Sequence, residues 1–313
     1  MNENFLVAEA TAIQLNKNQP GFVKTPYVQD LVNWGLRYLK AGFPLHFQGP
    51  AGTGKSSLAM HLASQLEKPV ILIHGDDELK TSSLVGEMKG FRRKKEMDNF
   101  IHSVRKFTEE ETPFWIDNRL TTACKNGFTL IYDEFTRARP EANNVLLSVL
   151  EEKILDLPAS RGQDSYLKVH PDFRAIFTSN PAEYAGTHTS QDALRDRMIT
   201  INLGHYDRET EIQICQTRAN VSRQDAERIV DIVRDFRKTR QDKNSPTIRA
   251  AIMIGKVLKL CKAHANTSDA DFIRACFDVL KSETKNSINN PDQSKMETLI
   301  SDLIKRNCSY YGL

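Results

Sequence analysis

Eight consecutive residues, Gly49-Pro50-Ala51-Gly52-Thr53-Gly54-Lys55-Ser56, satisfy the pattern GxxxxGK[ST] at every fixed position, and Ser57 follows them. Glycines at these places let the backbone turn tightly, so that successive N–H groups point inward at phosphate oxygens. An apolar run precedes the loop and a helical pattern follows it. The helix N-terminus therefore adds its partial positive charge to the same spot. Lys55 is placed to reach β- and γ-phosphates, and the Ser56 hydroxyl to ligate Mg²⁺. The chemistry implied is the binding of ATP with Mg²⁺.

A second group supplies acidity. Leu130-Ile131-Tyr132-Asp133-Glu134 is an apolar strand delivering two adjacent carboxylates at its C-terminal end. Asp133 suits the shell of the metal, and Glu134 suits a general base that polarises the attacking water. Thr178-Ser179-Asn180-Pro181 closes another strand with an amide; Asn180 fits a sensor between the carboxylates and the γ-phosphate, against the plainer reading of an Asn-Pro turn. Arg195 and Arg197 precede a further strand. Either one suits a finger that stabilises charge on a phosphoryl group in a neighbouring subunit, leaving the other to an internal ion pair. Arg249, at the start of a helix after Ser245-Pro246, fits a second sensor touching the nucleotide from a lid. Phe22, Val23, Tyr27 and Val28 lie where an adenine pocket would be built, or are simply core.

Other chemistries find no support. The eight histidines are dispersed, without the short spacing of a metal site. There is no GxSxG and no dinucleotide fingerprint after a strand. Forty-three basic residues against forty acidic ones leave a net charge of +3, which gives no reason to expect a nucleic-acid partner. Five scattered cysteines without a CxxC pair argue against a disulfide framework and point to a reducing, cytoplasmic setting. Met1-Asn2-Glu3-Asn4 lacks the features of a signal peptide, and no run of apolar residues is long enough to span a membrane.

These residues need elements to hold them. Helical spacing is expected over 25–40 and 57–66, and strands over 44–48, 69–74, 128–132, 174–180 and 198–203. The polar stretch 80–106 reads as an inserted, partly helical element, and 154–169 as a hairpin. A helix is expected from about Pro140 to Glu152. Beyond about Arg208 the pattern is helical, with breaks near 244–246 and 289–291. Alternating strands and helices followed by a helical tail imply an α/β domain with a smaller α domain. The expected division is an arm over 1–24, an ATPase domain over 25–206 with inserts at about 80–106 and 154–169, and a helical lid with tail over 207–313.

In their order along the chain these motifs resemble the AAA+ ATPases. The region from Glu134-Phe135-Thr136-Arg137-Ala138-Arg139-Pro140 to Leu157-Pro158 resembles the MoxR group. Within that group the chain is most similar to its gas vesicle branch. That similarity is carried by Phe22 to Val28, Gly42-Phe43-Pro44-Leu45-His46-Phe47 and Tyr132 to Glu141. The resemblance implies a P-loop NTPase fold, a three-layer α/β/α domain with a parallel sheet and a smaller C-terminal helical lid. It further implies an ATPase assisting assembly of gas vesicles, which are hollow protein shells, with gas vesicle structural or accessory proteins as partners. A homo-oligomeric ring, a hexamer, is implied too, its pore faced by the 80–106 insert and the 154–169 hairpin. Two alternatives stay open. One is a MoxR-group activase or maturation ATPase for a metalloenzyme or Rubisco. The other is a nucleotide-gated binding module without essential hydrolysis.

Overall fold

The computed structural model describes residues 12–17, 20–101, 104–158, 165–181, 190–239, 245–282 and 293–309. The first helix, α1 (Pro26–Lys40), opens at Thr25, whose side chain accepts the Val28 N–H, with proline in the first turn. It buries Val28, and sets Gly35 and Leu39 against strand β1 (Leu45–Gln48) and helix α2 (Lys55–Gln65). Next come β2 (Val70–His74), the short helix α3 (Thr81–Val85), β3 (Gly86–Ile101), β4 (Val104–Asp117) and α4 (Arg119–Asn126). β5 (Thr129–Asp133) leads through one 3-10 turn at Phe135–Arg137 into α5 (Pro140–Asn143) and α6 (Val145–Glu151). β6 (Ile154–Asp156), β7 (Tyr166–Lys168), β8 (Arg174–Ser179), α7 (Ser190–Arg195) and β9 (Ile199–Asn202) complete the first part.

Five strands form one parallel sheet in the order β2-β5-β8-β1-β9. Strands buried on both faces read as short apolar runs, as β2, β5 and β8 do with Val-Ile-Leu-Ile, Thr-Leu-Ile-Tyr and Ala-Ile-Phe-Thr, whereas β1 (Leu-His-Phe-Gln) and the half-buried edge strand β9 (Ile-Thr-Ile-Asn) alternate. Two apolar layers cover the faces. One holds Leu39, Leu58, Leu62 and Ile176; the other holds Leu120, Tyr132, Leu146 and Phe177. The arm is tied down where it is described: Ile13 and Val70 exchange N–H···O bonds of 2.8 and 2.9 Å along β2, an edge strand.

The stretch 80–106 corrects the expectation of a partly helical insert. Beyond α3 it is an antiparallel ribbon of β3 and β4, strands of 16 and 14 residues, reaching about 50 Å. Its register sets Arg93, Lys94 and Lys95 opposite Glu111, Glu110 and Glu109. In the backbone register this basic run is thus paired with an acidic run of the other strand. The helix expected over 140–152 is divided at Asn144. The hairpin at 154–169 is present as β6 and β7, and the turn residues 159–164 lie outside the described residues, as does the break at 289–291.

Five helices follow among the described residues: α8 (Arg208–Ala219), α9 (Arg223–Lys238), α10 (Ile248–Cys261), α11 (Ala270–Ser282) and α12 (Gln293–Ser309). Asp207, Ser222 and Thr247 cap α8, α9 and α10 with side-chain oxygens. Their apolar faces meet in a separate core around Ile212, Ile229, Val233, Phe236, Ile254 and Phe272. Among the described residues no helix is long and apolar enough to cross a membrane.

His46, on β1 between β8 and β9, is fully buried. Its ring nitrogens bond Ser179 Oγ at 2.8 Å and Thr200 Oγ1 at 3.0 Å. Burial, with the charge of Arg195 nearby, pushes its pKa from 6.5 down to about 4. The unfolded chain therefore takes up this proton near pH 6.5 and the folded one only near 4. Stability is whole above pH 6.5 and falls as the pH drops towards 4, by on the order of 3 kcal/mol. Urea unfolding between pH 7.5 and 4.5 should show this slope, and His46→Gln should flatten it; an equal slope in the variant would reject the assignment.

Candidate nucleotide site

The loop between β1 and α2 is shaped by two glycines in the left-handed region, Gly52 at φ +78° and Gly54 at φ +82°. Gly54 is the N-cap of α2, so the first amides of that helix open onto the loop. Lys55 is buried, and its Nζ donates to the Gly49 carbonyl at 2.8 Å and the Pro50 carbonyl at 2.7 Å. Thr53 Oγ1 donates to the Pro50 carbonyl at 2.9 Å. A buried ammonium needs such partners, and phosphate oxygens are stronger acceptors of the same donors.

The sheet order brings the ends of β1, β5 and β8 side by side. Ser56 Oγ donates to the Asp133 carboxylate, at 2.8 Å to Oδ1 and 2.9 Å to Oδ2. Thr178 Oγ1, from β8, donates to Oδ1 of the same group and accepts the Glu134 N–H at 2.9 Å. His74 Nδ1 lies 3.8 Å from Oδ2. Glu134 itself takes a left-handed backbone, φ +52°, which a non-glycine residue adopts at some cost. Its Oε2 accepts from Arg137 Nη1 at 2.7 Å. Hydroxyl and carboxylate oxygens converging from Ser56 and Asp133 make the hard, oxygen-only donor set that suits Mg²⁺.

A cavity of about 790 Å³ runs from the loop to the helical part, large enough for a nucleotide. Ala51, Gly52, Gly54, Lys55, Ser56 and Ser57 line it together with Asp133, Glu134 and Arg249. Phe22, Val23 and Val28 line its apolar end, while Tyr27 instead packs edge-on against Tyr206. Asn180 is buried one residue beyond β8, whose Ser179 carbonyl accepts the Gly49 N–H at 3.2 Å. Arg195 and Arg197 are not on this cavity wall. Arg197 is committed within the chain: Nε donates to Glu151 Oε2 at 2.6 Å and Nη1 to the Ala193 carbonyl at 2.6 Å. Arg195 Nη1 lies 3.7 Å from Asp192, and its buried Nε makes no hydrogen bond among the described residues.

Some cavity residues escape a reading of motifs. Tyr206, Ile214, Arg218, Ile252 and Lys256 line it from the helical part. Ile248, Ile252 and Lys256 do share one face of a helix beginning at Arg249's own turn, a periodicity that points to them. Tyr206 and Arg218 have no such signal. Thr178 and Arg137 sit two residues before Asn180 and three after Glu134, close enough to have been tested as partners.

A parallel sheet in this order, a phosphate loop between its β1 and α2, and a helical part closing the cavity define an AAA+ ATPase of the P-loop class. Residues 44–198 match the AAA domain (dynein-related subfamily). The chain is 52% identical to a gas vesicle ATPase GvpN of Ancylobacter aquaticus, over 84% of this chain and 73% of that protein. It is 45% identical to a gas vesicle ATPase GvpN of Haloferax mediterranei, over 85% and 76%. The chain belongs to the gas vesicle ATPase GvpN family. Among solved structures, a point mutant of RuvB from Thermotoga maritima shares the fold, with a TM-score of 0.51 and 17% identity over 83% of this chain and 71% of that one.

Lys55→Ala should weaken binding of a fluorescent ATP analogue about a hundredfold, the loss of charge-assisted bonds to phosphate. Unchanged affinity would remove Lys55 from the phosphate site.

Proposed function

We propose that this ATPase forms a homo-oligomeric ring, a hexamer, and uses hydrolysis to assist assembly of gas vesicles from their structural and accessory proteins. The observation that carries the reading is the 52% identity with a gas vesicle ATPase over most of both chains. This supports gas vesicles over a metalloenzyme or Rubisco as the client.

In the proposed mechanism the loop Gly49 to Ser56, through the amides from Ala51 onward and Lys55, binds the phosphates, and residues 25–206 act as the ATPase domain against a lid of 207–313. Ser56 and Asp133 would hold Mg²⁺, which supplies charge neutralisation at the phosphates. Glu134 takes a proton from the attacking water as general base. Its exposure and its contact with Arg137 leave the carboxylate at the cavity surface, within reach of water. Asn180, buried one residue beyond β8, is the proposed group that orients that water, and Arg249 senses the phosphates from the lid. Arg195 is the better candidate for the finger in the neighbouring subunit, because Arg197 is spent on Glu151. The β3–β4 ribbon and the β6–β7 hairpin, which bears the exposed Tyr166, are the proposed contacts with partner proteins.

Glu134→Gln should bind ATP normally and turn it over at least a hundredfold more slowly, read as phosphate release. In a gas vesicle gene cluster lacking the native gene, the wild-type chain should restore vesicles and Glu134→Gln should not. Vesicles restored by the inactive variant would favour a nucleotide-gated binding module instead. Arg195→Ala should lose turnover alone and regain it when mixed with Glu134→Gln subunits. No recovery would mean that the arginine does not act across subunits.

A further inference from the structure

The phosphate loop is gripped from the lid at both of its left-handed glycines. The Tyr206 hydroxyl lies over Gly54, 3.0 Å from where a Cβ on that residue would stand, and the Thr247 side chain lies over Gly52. These two residues come from different places: Tyr206 from the link into α8, Thr247 from the cap of α10, two residues before Arg249. One carboxylate joins them. Glu211, on α8, has its side chain 2% exposed and meets Arg234 Nη1 at 2.9 Å and Arg237 Nη2 at 3.0 Å. Arg234 Nη1 also donates to the Tyr206 carbonyl at 3.1 Å, and Arg237 Nε donates to the Pro246 carbonyl at 2.8 Å. The backbone beside each jaw is thus fixed by a guanidinium, and both guanidinium groups are fixed by Glu211.

We propose that the Glu211–Arg234–Arg237 triad is a positioning clamp that sets Arg249 and Tyr206 against the phosphate loop, so that the lid follows the state of that loop. An ion triad centred on a buried carboxylate contributes little net stability, because desolvation of that carboxylate offsets the attraction. What it does contribute is direction: planar guanidinium groups hold a carboxylate and a carbonyl at fixed angles. None of the three residues lines the cavity, so their effect on turnover passes through Tyr206, Thr247 and Arg249. The inference rests on Arg249 acting at the nucleotide.

The test is a double-mutant cycle on the full chain, with turnover and ADP affinity measured for the wild type, Arg249→Ala, Glu211→Gln and the pair. Glu211→Gln should lower kcat about tenfold and leave the affinity for ADP within about twofold, since the phosphate loop and its lysine are intact. In the pair, Arg249→Ala should cost nothing further, because a mis-set arginine is already lost. Arg237→Lys, which keeps the charge but not the planar fork, should reproduce the fall in kcat. Losses that multiply in the pair, or normal kcat in Glu211→Gln or Arg237→Lys, would overturn the clamp. Should Glu211→Gln fail to fold, the same cycle is run on Glu211→Leu/Arg234→Met/Arg237→Met, which removes the three charges together. Normal turnover in Arg249→Ala alone would instead reject the sensor reading beneath the proposal.

Discussion

The Asp133 carboxylate accepts from Ser56 at the head of α2 and from Thr178 near the end of β8, and through these bonds it ties together the pieces that form the phosphate site. Each bond to an ionised group contributes more than a neutral one, roughly 1.5–3 kcal/mol. Their larger effect is on register. With Asp133 held, the Glu134 N–H meets Thr178, and the Gly49 N–H meets the Ser179 carbonyl one residue further along. Crevices at the carboxyl ends of parallel strands are where such sheets bind ligands.

The same constraint shapes the residue that follows. Glu134 leaves β5 with a left-handed backbone, and this turns its side chain out of the strand direction towards the cavity and Arg137. A glutamate that continued the strand would point across the sheet. The cavity has both polar and apolar walls. Its wall combines Lys55, Asp133, Glu134 and Arg249 with the apolar side chains of Phe22, Val23, Met60, Ile214 and Ile252.

The helical part meets the first part through a polar skeleton as well as through Ile214, Ile248 and Ile252 on the cavity wall. Thr25 Oγ1 and Thr210 Oγ1 bond at 2.8 Å, Asp207 caps α8, and the Glu211 triad reaches the Tyr206 and Pro246 carbonyls. The apolar cluster around Phe236 and Phe272 gives the helices their mutual packing. The Glu211 triad holds the link before α8 and the segment before α10 through the Tyr206 and Pro246 carbonyls, next to Tyr206 and Arg249 on the cavity wall.

The order of residues by itself determined the phosphate loop, the Asp133-Glu134 strand end and the five core strands, because each rests on local rules. A phosphate-binding turn needs its glycines in sequence, and a strand buried on both faces needs a continuous apolar run. The helical nature of the chain beyond Arg208 was legible for the same reason, from the 3.6-residue period. Only the tertiary structure decided what depends on partners distant in the chain. The ribbon of β3 and β4 is such a case: Lys94 has no apolar neighbour to mark a strand, and its register with Glu110 across the ribbon is invisible along one strand. Arg195 and Arg197 look alike in sequence, and Glu151, on another helix, separates them. The same holds for Glu211, whose meaning lies in two arginines a helix away and in the carbonyls they reach. Periodicity reports which face of an element is buried, and it carries no information about which charge will stand opposite.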